Sequence, residues 1–177
     1  KPTFSLVSPQ PNTGNGALTS GSAIKALRFR VAADANGAVA WRNLQFQVAM
    51  TNATMSAAGG SNIVLRNIST GSALTLATVF SSTVVANGST SAIANGSTGY
   101  VGLELSTPEQ IAAGSSQDYD LEVTFTAGFS GSNANDSQAV VKLYRQETTA
   151  SGGVSYAGLM GGADTEPTMA TSTPWSD

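Results

Sequence analysis

At 177 residues, with 11% charged side chains and a net charge of −3, the chain can bury one sizeable core, yet it carries far less charge than the roughly 25% of typical soluble proteins. An acidic balance of this kind excludes the basic footprint that nucleic-acid binding needs. The chain has no cysteine and no histidine, which excludes disulfides, thiolate chemistry, the commonest general base and any Ser/His/Asp triad.

The first element is KPTFSLVSPQPN. Phe4, Leu6 and Ser8 alternate with Thr3, Ser5 and Val7, so Thr3 to Ser8 predicts a short strand. Pro2, Pro9 and Pro11 bracket it, and proline ends a ladder because it has no N–H to give. A stretch rich in Gly, Asn, Ser and Thr then runs to Ser22. Residues 1–22 therefore form an N-terminal arm, a strand plus a linker, and that strand is either the first of the chain's own sheet or one meant for a neighbouring copy. Residues 23–177 are expected to form a single β-sandwich domain with an irregular C-terminal tail.

Within that domain the period is two. In IKALRFRVAAD, Leu27, Phe29, Val31 and Ala33 face inward while Arg28 and Arg30 face out. Asp34-Ala35-Asn36-Gly37 predicts a hairpin turn, with Asn-Gly supplying positive φ. LQFQVAM places Leu44, Phe46, Val48 and Met50 inward and Gln45 and Gln47 outward. NIVLRNI and ALTLATVF follow, separated by Ser69-Thr70-Gly71. Ala-Asn-Gly-Ser-Thr then occurs twice, at 86–90 and 94–98, and predicts two exposed turns. YVGLELS, DYDLEVTFTA and QAVVKLYRQ read as further strands, the second with Tyr119, Leu121, Val123 and Phe125 inward. PEQIAAGS, at 108–115, suggests either a helical turn or an extended crossover, and VSYAGLM is a further strand candidate. Roughly eight to ten strands with regular turn signals describe an all-β, antiparallel β-sandwich of immunoglobulin-like or jelly-roll-like type.

No constellation in the chain calls for a cofactor or a catalytic residue. Asp118, Asp120 and Glu122 share one outward face of one strand. They read as a stripe salt-bridged to Arg28, Arg30 or Lys142 rather than as a calcium site, which needs a turning backbone. Asn133, Asn135 and Asp136 form a better oxygen cluster for a metal ion, but turn-formers cluster in loops anyway, and that plainer reading is preferred. Trp41, Tyr100, Tyr119 and Tyr144 fall in strand patterns and read as packing residues rather than a sugar platform. Trp175 lies in the tail and is a candidate for docking in a groove. Asn-x-Ser/Thr sequons occur at Asn52, Asn67, Asn87, Asn95 and Asn135. Asn87 and Asn95, in turns, are the better glycosylation candidates.

No apolar run approaches the roughly 18 residues of a membrane span. Lys1 in place of an initiator methionine leads us to expect a chain trimmed by signal-peptide removal, and hence a secreted, cell-surface protein.

Four stretches resemble an immunoglobulin-like module of bacterial surface proteins: FSLVSPQP, IKALRFRVAADANGAVAWRNLQFQV, LSTPEQIAAGSSQDYDLEVTF and the terminal PWSD. Such modules open on an S-P motif before a strand, then carry a V-A-D-x-x-G-x-V hairpin and an I-x-A-G-x-S turn feeding a long strand. The resemblance implies a secreted, non-catalytic module. The layout is also similar to donor-strand filament subunits, including TasA-type biofilm fibres, archaeal threads and bundling pili, and shares its principle with chaperone–usher pilins. That likeness implies a structural subunit of an extracellular filament, a homopolymer of identical copies. Thr3, Phe4, Ser5, Leu6, Val7 and Ser8 would be the donor strand, with Phe4 and Leu6 as anchors. The alternative is a non-catalytic immunoglobulin-like adhesion or carbohydrate-binding module of a cell-surface protein. In neither case is nucleic acid a partner, and glycans enter the first as surface modifications.

Overall fold

The computed structural model describes residues 2–11, 18, 20–56, 62–82, 91–127 and 137–143. Ten strands follow in chain order: β1 (Thr3–Leu6), β2 (Ala23–Ala32), β3 (Val39–Thr51), β4 (Ala53–Thr54), β5 (Ile63–Asn67), β6 (Leu76–Ser82), β7 (Thr98–Ile111), β8 (Ser116–Thr124), β9 (Thr126–Ala127) and β10 (Gln138–Leu143). There is no α-helix among the described residues.

Two four-stranded sheets carry the architecture, one ordered β1-β2-β8-β5 and the other β10-β3-β7-β6, and every pairing is antiparallel. A two-residue pairing of β4 with β9 adds a small third sheet. We refer to the first two as the β2–β8 sheet and the β3–β7 sheet. They face one another, since Phe29 of β2 meets Phe46 of β3 edge-on at 6.1 Å between ring centroids. The alternation read from the sequence explains why. Leu27, Phe29 and Val31 from β2, Leu44, Phe46, Val48 and Met50 from β3, and Tyr119, Leu121 and Val123 from β8 are all buried in one core. Leu103, Leu105 and Ile111 of β7 complete it. One approach is close enough to require glycine. A Cβ on Gly99 would lie 2.6 Å from Ile93 Cγ1, and Ile93 is fully buried beneath its bridge to Met55.

Three expectations about connections are corrected. First, Asp34–Gly37 is not a hairpin, because β2 and β3 belong to different sheets. Neither Asn36 nor Gly37 takes positive φ. The Asp34 carboxylate instead accepts from Asn36 N at 2.8 Å and from Asn36 Nδ2, closing an Asx turn that carries the chain across the sandwich. Second, the 108–115 segment is not a helical turn. β7 runs on to Ile111, with a register shift opposite Trp41 and Asn43 that accommodates Pro108. The following Ala112–Ser115 turn, with Gly114 at φ 69°, also crosses between the sheets. The two crossings lie side by side, joined by Gly114 N to Asp34 O at 3.0 Å and Ala33 N to Ser115 O at 2.9 Å. Third, the N-terminal strand stops at Leu6 rather than Ser8, although Val7 N still donates to Arg28 O at 3.2 Å.

Candidate subunit interface

β1 is the outer strand of the β2–β8 sheet. Thr3, Phe4, Ser5 and Leu6 lie opposite Ala32, Val31, Arg30 and Phe29 of β2 in the same chain. Its two apolar side chains fare differently. Phe4 is half-buried and stacks on Phe29 at 6.3 Å, with the edge of Trp41 at 6.0 Å. Phe29 and Trp41 in turn both touch Tyr119, at 5.4 and 5.2 Å. Phe4 thereby closes one side of the sandwich, touching a ring from each large sheet. Leu6, two residues on, is 59% exposed. Of the two anchors expected from the sequence, only Phe4 is docked within the single chain.

The arm is also held beyond the strand. The Gln10 carboxamide donates to Val7 O at 2.6 Å and to Arg28 O at 2.7 Å, and its oxygen accepts from Arg28 N at 2.8 Å. A side-chain amide thus stands in for a peptide unit and satisfies the edge of β2 one step past the end of β1. Sequence reasoning missed this residue. The available signal was Pro9-Gln10-Pro11, in which two flanking residues without N–H groups leave the Gln10 amide as the local donor.

The acidic stripe of β8 is paired in the way expected, with one change of partner. Asp118 accepts from Arg30 at 2.6 and 2.9 Å, and Asp120 from Arg28 at 2.7 and 2.9 Å. Lys25 adds a third cation at 3.2 Å from Asp120, and Arg66 of β5 holds Glu122 at 2.9 Å. Lys142 takes no part, because β10 places it opposite Gln47 in the other sheet. The Arg30 hydrogen bond holds the Asp118 carboxyl below its usual range. At Asp120, burial opposes ionisation, but the hydrogen bonds from Arg28 and Lys25 and their charges outweigh it, and the net shift is downward. These pairs link β2, β8 and β5 across the outward face and help fix their register.

The aromatic residues divide. Trp41 and Tyr119 are core residues, and Tyr119 OH donates to Glu109 Oε1 at 3.1 Å. Burial, before the nearby Glu109 charge, pushes the Tyr119 phenol up. Tyr100 lies on the outward face of the β3–β7 sheet, where Gln47 Nε2 donates to its hydroxyl at 3.4 Å. On the same face Asn43 Oδ1 and both polar atoms of the buried Gln45 side chain have no hydrogen-bond partner.

Among the sequons, Asn95 is exposed in a turn completed by Gly96 at φ 71° and by Ser97 N donating to Ala94 O. Asn67 is buried, and its amide nitrogen donates to Glu109, which leaves no room for a sugar. Asn87, Asn133, Asn135, Asp136, Tyr144, VSYAGLM and Trp175 lie outside the described residues. No described helix is long and apolar enough to cross a membrane. No family model, curated protein or solved structure matches the chain.

Proposed function

We propose that this chain is a structural subunit of an extracellular filament, a sandwich of immunoglobulin-like or jelly-roll-like type whose N-terminal strand is passed between copies. One observation carries the reading. A short, uncharged outer strand at the start of the chain fits its sheet through one aromatic plug, Phe4, set between rings from both large sheets. The same contacts are available to the Phe4 of a neighbouring copy, so exchange replaces intramolecular pairs by identical intermolecular ones. Burying Phe4 is worth about 1.5–3 kcal/mol, and each ladder hydrogen bond about 0.5–1.5 kcal/mol. Exchange passed from copy to copy does not close on itself, and the product is a fibre. The sparse surface charge suits close packing of many copies, and Asn95 is placed to carry a surface glycan.

The adhesion or carbohydrate-binding reading draws on a different observation. The outward face of the β3–β7 sheet presents Gln47 and Tyr100, and these neutral hydrogen-bonding groups suit sugar hydroxyls.

Negative-stain electron microscopy of the full chain and of a chain lacking Lys1–Ser8 separates the two. Fibres from the full chain and folded, dispersed particles from the shortened one are the expected result. Monodisperse particles from both would overturn the filament reading and leave glycan binding as the function to pursue.

A further inference from the structure

Gln45 is out of place in a sandwich of two layers. Its neighbours Leu44 and Phe46 belong to the core, so its own side chain leaves the outward face of the β3–β7 sheet. That face of an antiparallel sheet commonly meets solvent, yet Gln45 is 0% exposed. Across the ladder on β7 stands Gly102, which has no side chain to cover it and is itself buried. Both polar atoms of the Gln45 carboxamide are buried without a hydrogen-bond partner. Buried polar side chains are normally bonded, so this part of the face calls for a third layer.

We propose that the chain's own C-terminal segment, residues 144–177, lies over this face as a strap. Position selects that occupant. β10 pairs with β3 from Gln138 opposite Thr51 to Leu143 opposite Phe46, so one further step of the same register brings residue 144 opposite Gln45. The neighbouring stretches outside the described residues start farther away. Residues 128–136 return at Ser137, whose hydroxyl donates to Asn52 O past the end of β3, roughly 20 Å along the strand from Gln45. A loop of that length, out and back, reaches only about 15 Å. Residues 83–90 leave from the β6 edge, two strands from Gln45, and are pinched at their base by Ser91 N donating to Ser81 O at 2.7 Å.

The segment also carries suitable chemistry. Its aromatic residues are Tyr144, Tyr156 and Trp175, each an apolar body with one polar hydrogen to donate. Such a ring fits the space that Gly102 leaves, and its donor suits the Gln45 carbonyl. The strap is independent of strand exchange, because β1 belongs to the other sheet. It bears instead on the sugar-binding reading. Gln47 and Tyr100 share the covered face, so an external ligand there must displace the strap.

Photo-cross-linking in the full chain tests this with nothing removed. p-Benzoylphenylalanine takes the place of Tyr100, which stands opposite Gln47 on the same face, and the linked peptides are mapped by mass spectrometry. A mixture of isotopically light and heavy chains separates links within a copy from links between copies. The expected result is links within a copy to peptides from residues 144–177. Links confined to residues 83–90, links only between copies, or no link to 144–177 would overturn the proposal. Thiol labelling gives an independent reading, on a background free of cysteine. In the full chain Gln45→Cys should react as slowly as Val48→Cys, a core position 1% exposed. In a chain ending at Leu143, continued protection of Val48→Cys reports that the sandwich is folded. Under that condition Gln45→Cys should react at least about tenfold faster than in the full chain. Unchanged protection of Gln45→Cys in the folded, shortened chain would reject the strap.

Discussion

The two outer edges of the β2–β8 sheet are finished in different ways. At the β1 edge an aromatic plug and a side-chain amide seal the sandwich: Phe4 covers Phe29 and Trp41, and Gln10 satisfies Arg28. At the β5 edge the backbone is guarded by the returning Ala73–Leu74 segment and by Arg66, which binds Glu122 and Gly71 O. The side chains beyond it are left uncovered around a groove. An exposed strand edge invites pairing with other molecules unless something blunts it. One edge is sealed by a segment that a neighbour could equally supply. The other blocks ladder extension while keeping an apolar recess. The sealed edge therefore carries packing that stabilises the sandwich, and the other leaves its side chains without such a cover.

The strongest test of that contrast is Phe4→Ala. It removes the plug and is expected to lower folding stability by about 2 kcal/mol, measured by urea denaturation. A loss no larger than that of an exposed residue would mean that β1 does not seal the core.

Asp120→Asn follows closely, because it leaves the Arg28 guanidinium without its carboxylate inside the ladder. A cost of about 2 kcal/mol is expected, read in the same denaturation assay. The same ladder sets the acid limit. Asp118 and Asp120 titrate below their unfolded values when folded. Their contribution is therefore present above the unfolded carboxylate pKa, about 3.9, and is lost as pH falls through the lower folded values. Thermal melts from pH 6 down to pH 2, on an absolute scale spanning about 4 units around that pKa, should show the Asp120→Asn chain losing less stability on acidification than the native chain.

Gln10→Ala is a milder break. It leaves Arg28 N and O without their side-chain partners and should cost about 1 kcal/mol, with hydrogen exchange at the Arg28 amide rising before any global change. Smallest of all is Leu6→Ser. Its effect on folding stability should stay within about 0.5 kcal/mol in the same urea denaturation assay. A large loss of folding stability would place Leu6 in the core and dissolve the contrast between the two edges.

How much of this was legible in the sequence depends on the range of the forces involved. The inward residues of β2, β3 and β8 were readable because alternation is a local property, and each strand has one face in the core. The Arg–Asp ladder was readable in kind, since a charged outward stripe on one strand asks for cations on its neighbours. Its membership was not. Whether Lys142 or Arg66 supplies a cation depends on which sheet each strand joins, and period two is the same in both. The Asp34–Gly37 turn misled for a related reason. Asn-Gly is a strong hairpin signal, but the Asp34 side chain closed the turn first, and the two strands it joins pack face to face instead of pairing. The candidate interface was half visible. Phe4 and Leu6 were recognisable as one face of a strand, but only the positions of Phe29 and Trp41 determine that the first is buried and the second is not. The groove had no signal, because it arises where the consecutive strands β5 and β6 part into different sheets, which period two does not reveal.

The most direct test of the central claim, that the N-terminal strand can be supplied by another molecule, is complementation in trans. The chain lacking Lys1–Ser8 is melted with and without a synthetic peptide of sequence KPTFSLVS. The expected result is a melting temperature that climbs with peptide concentration, as it must for a ligand that binds only the folded state, and no rise with the Phe4→Ala peptide. A melting temperature indifferent to the native peptide would show that β1 serves its own chain alone.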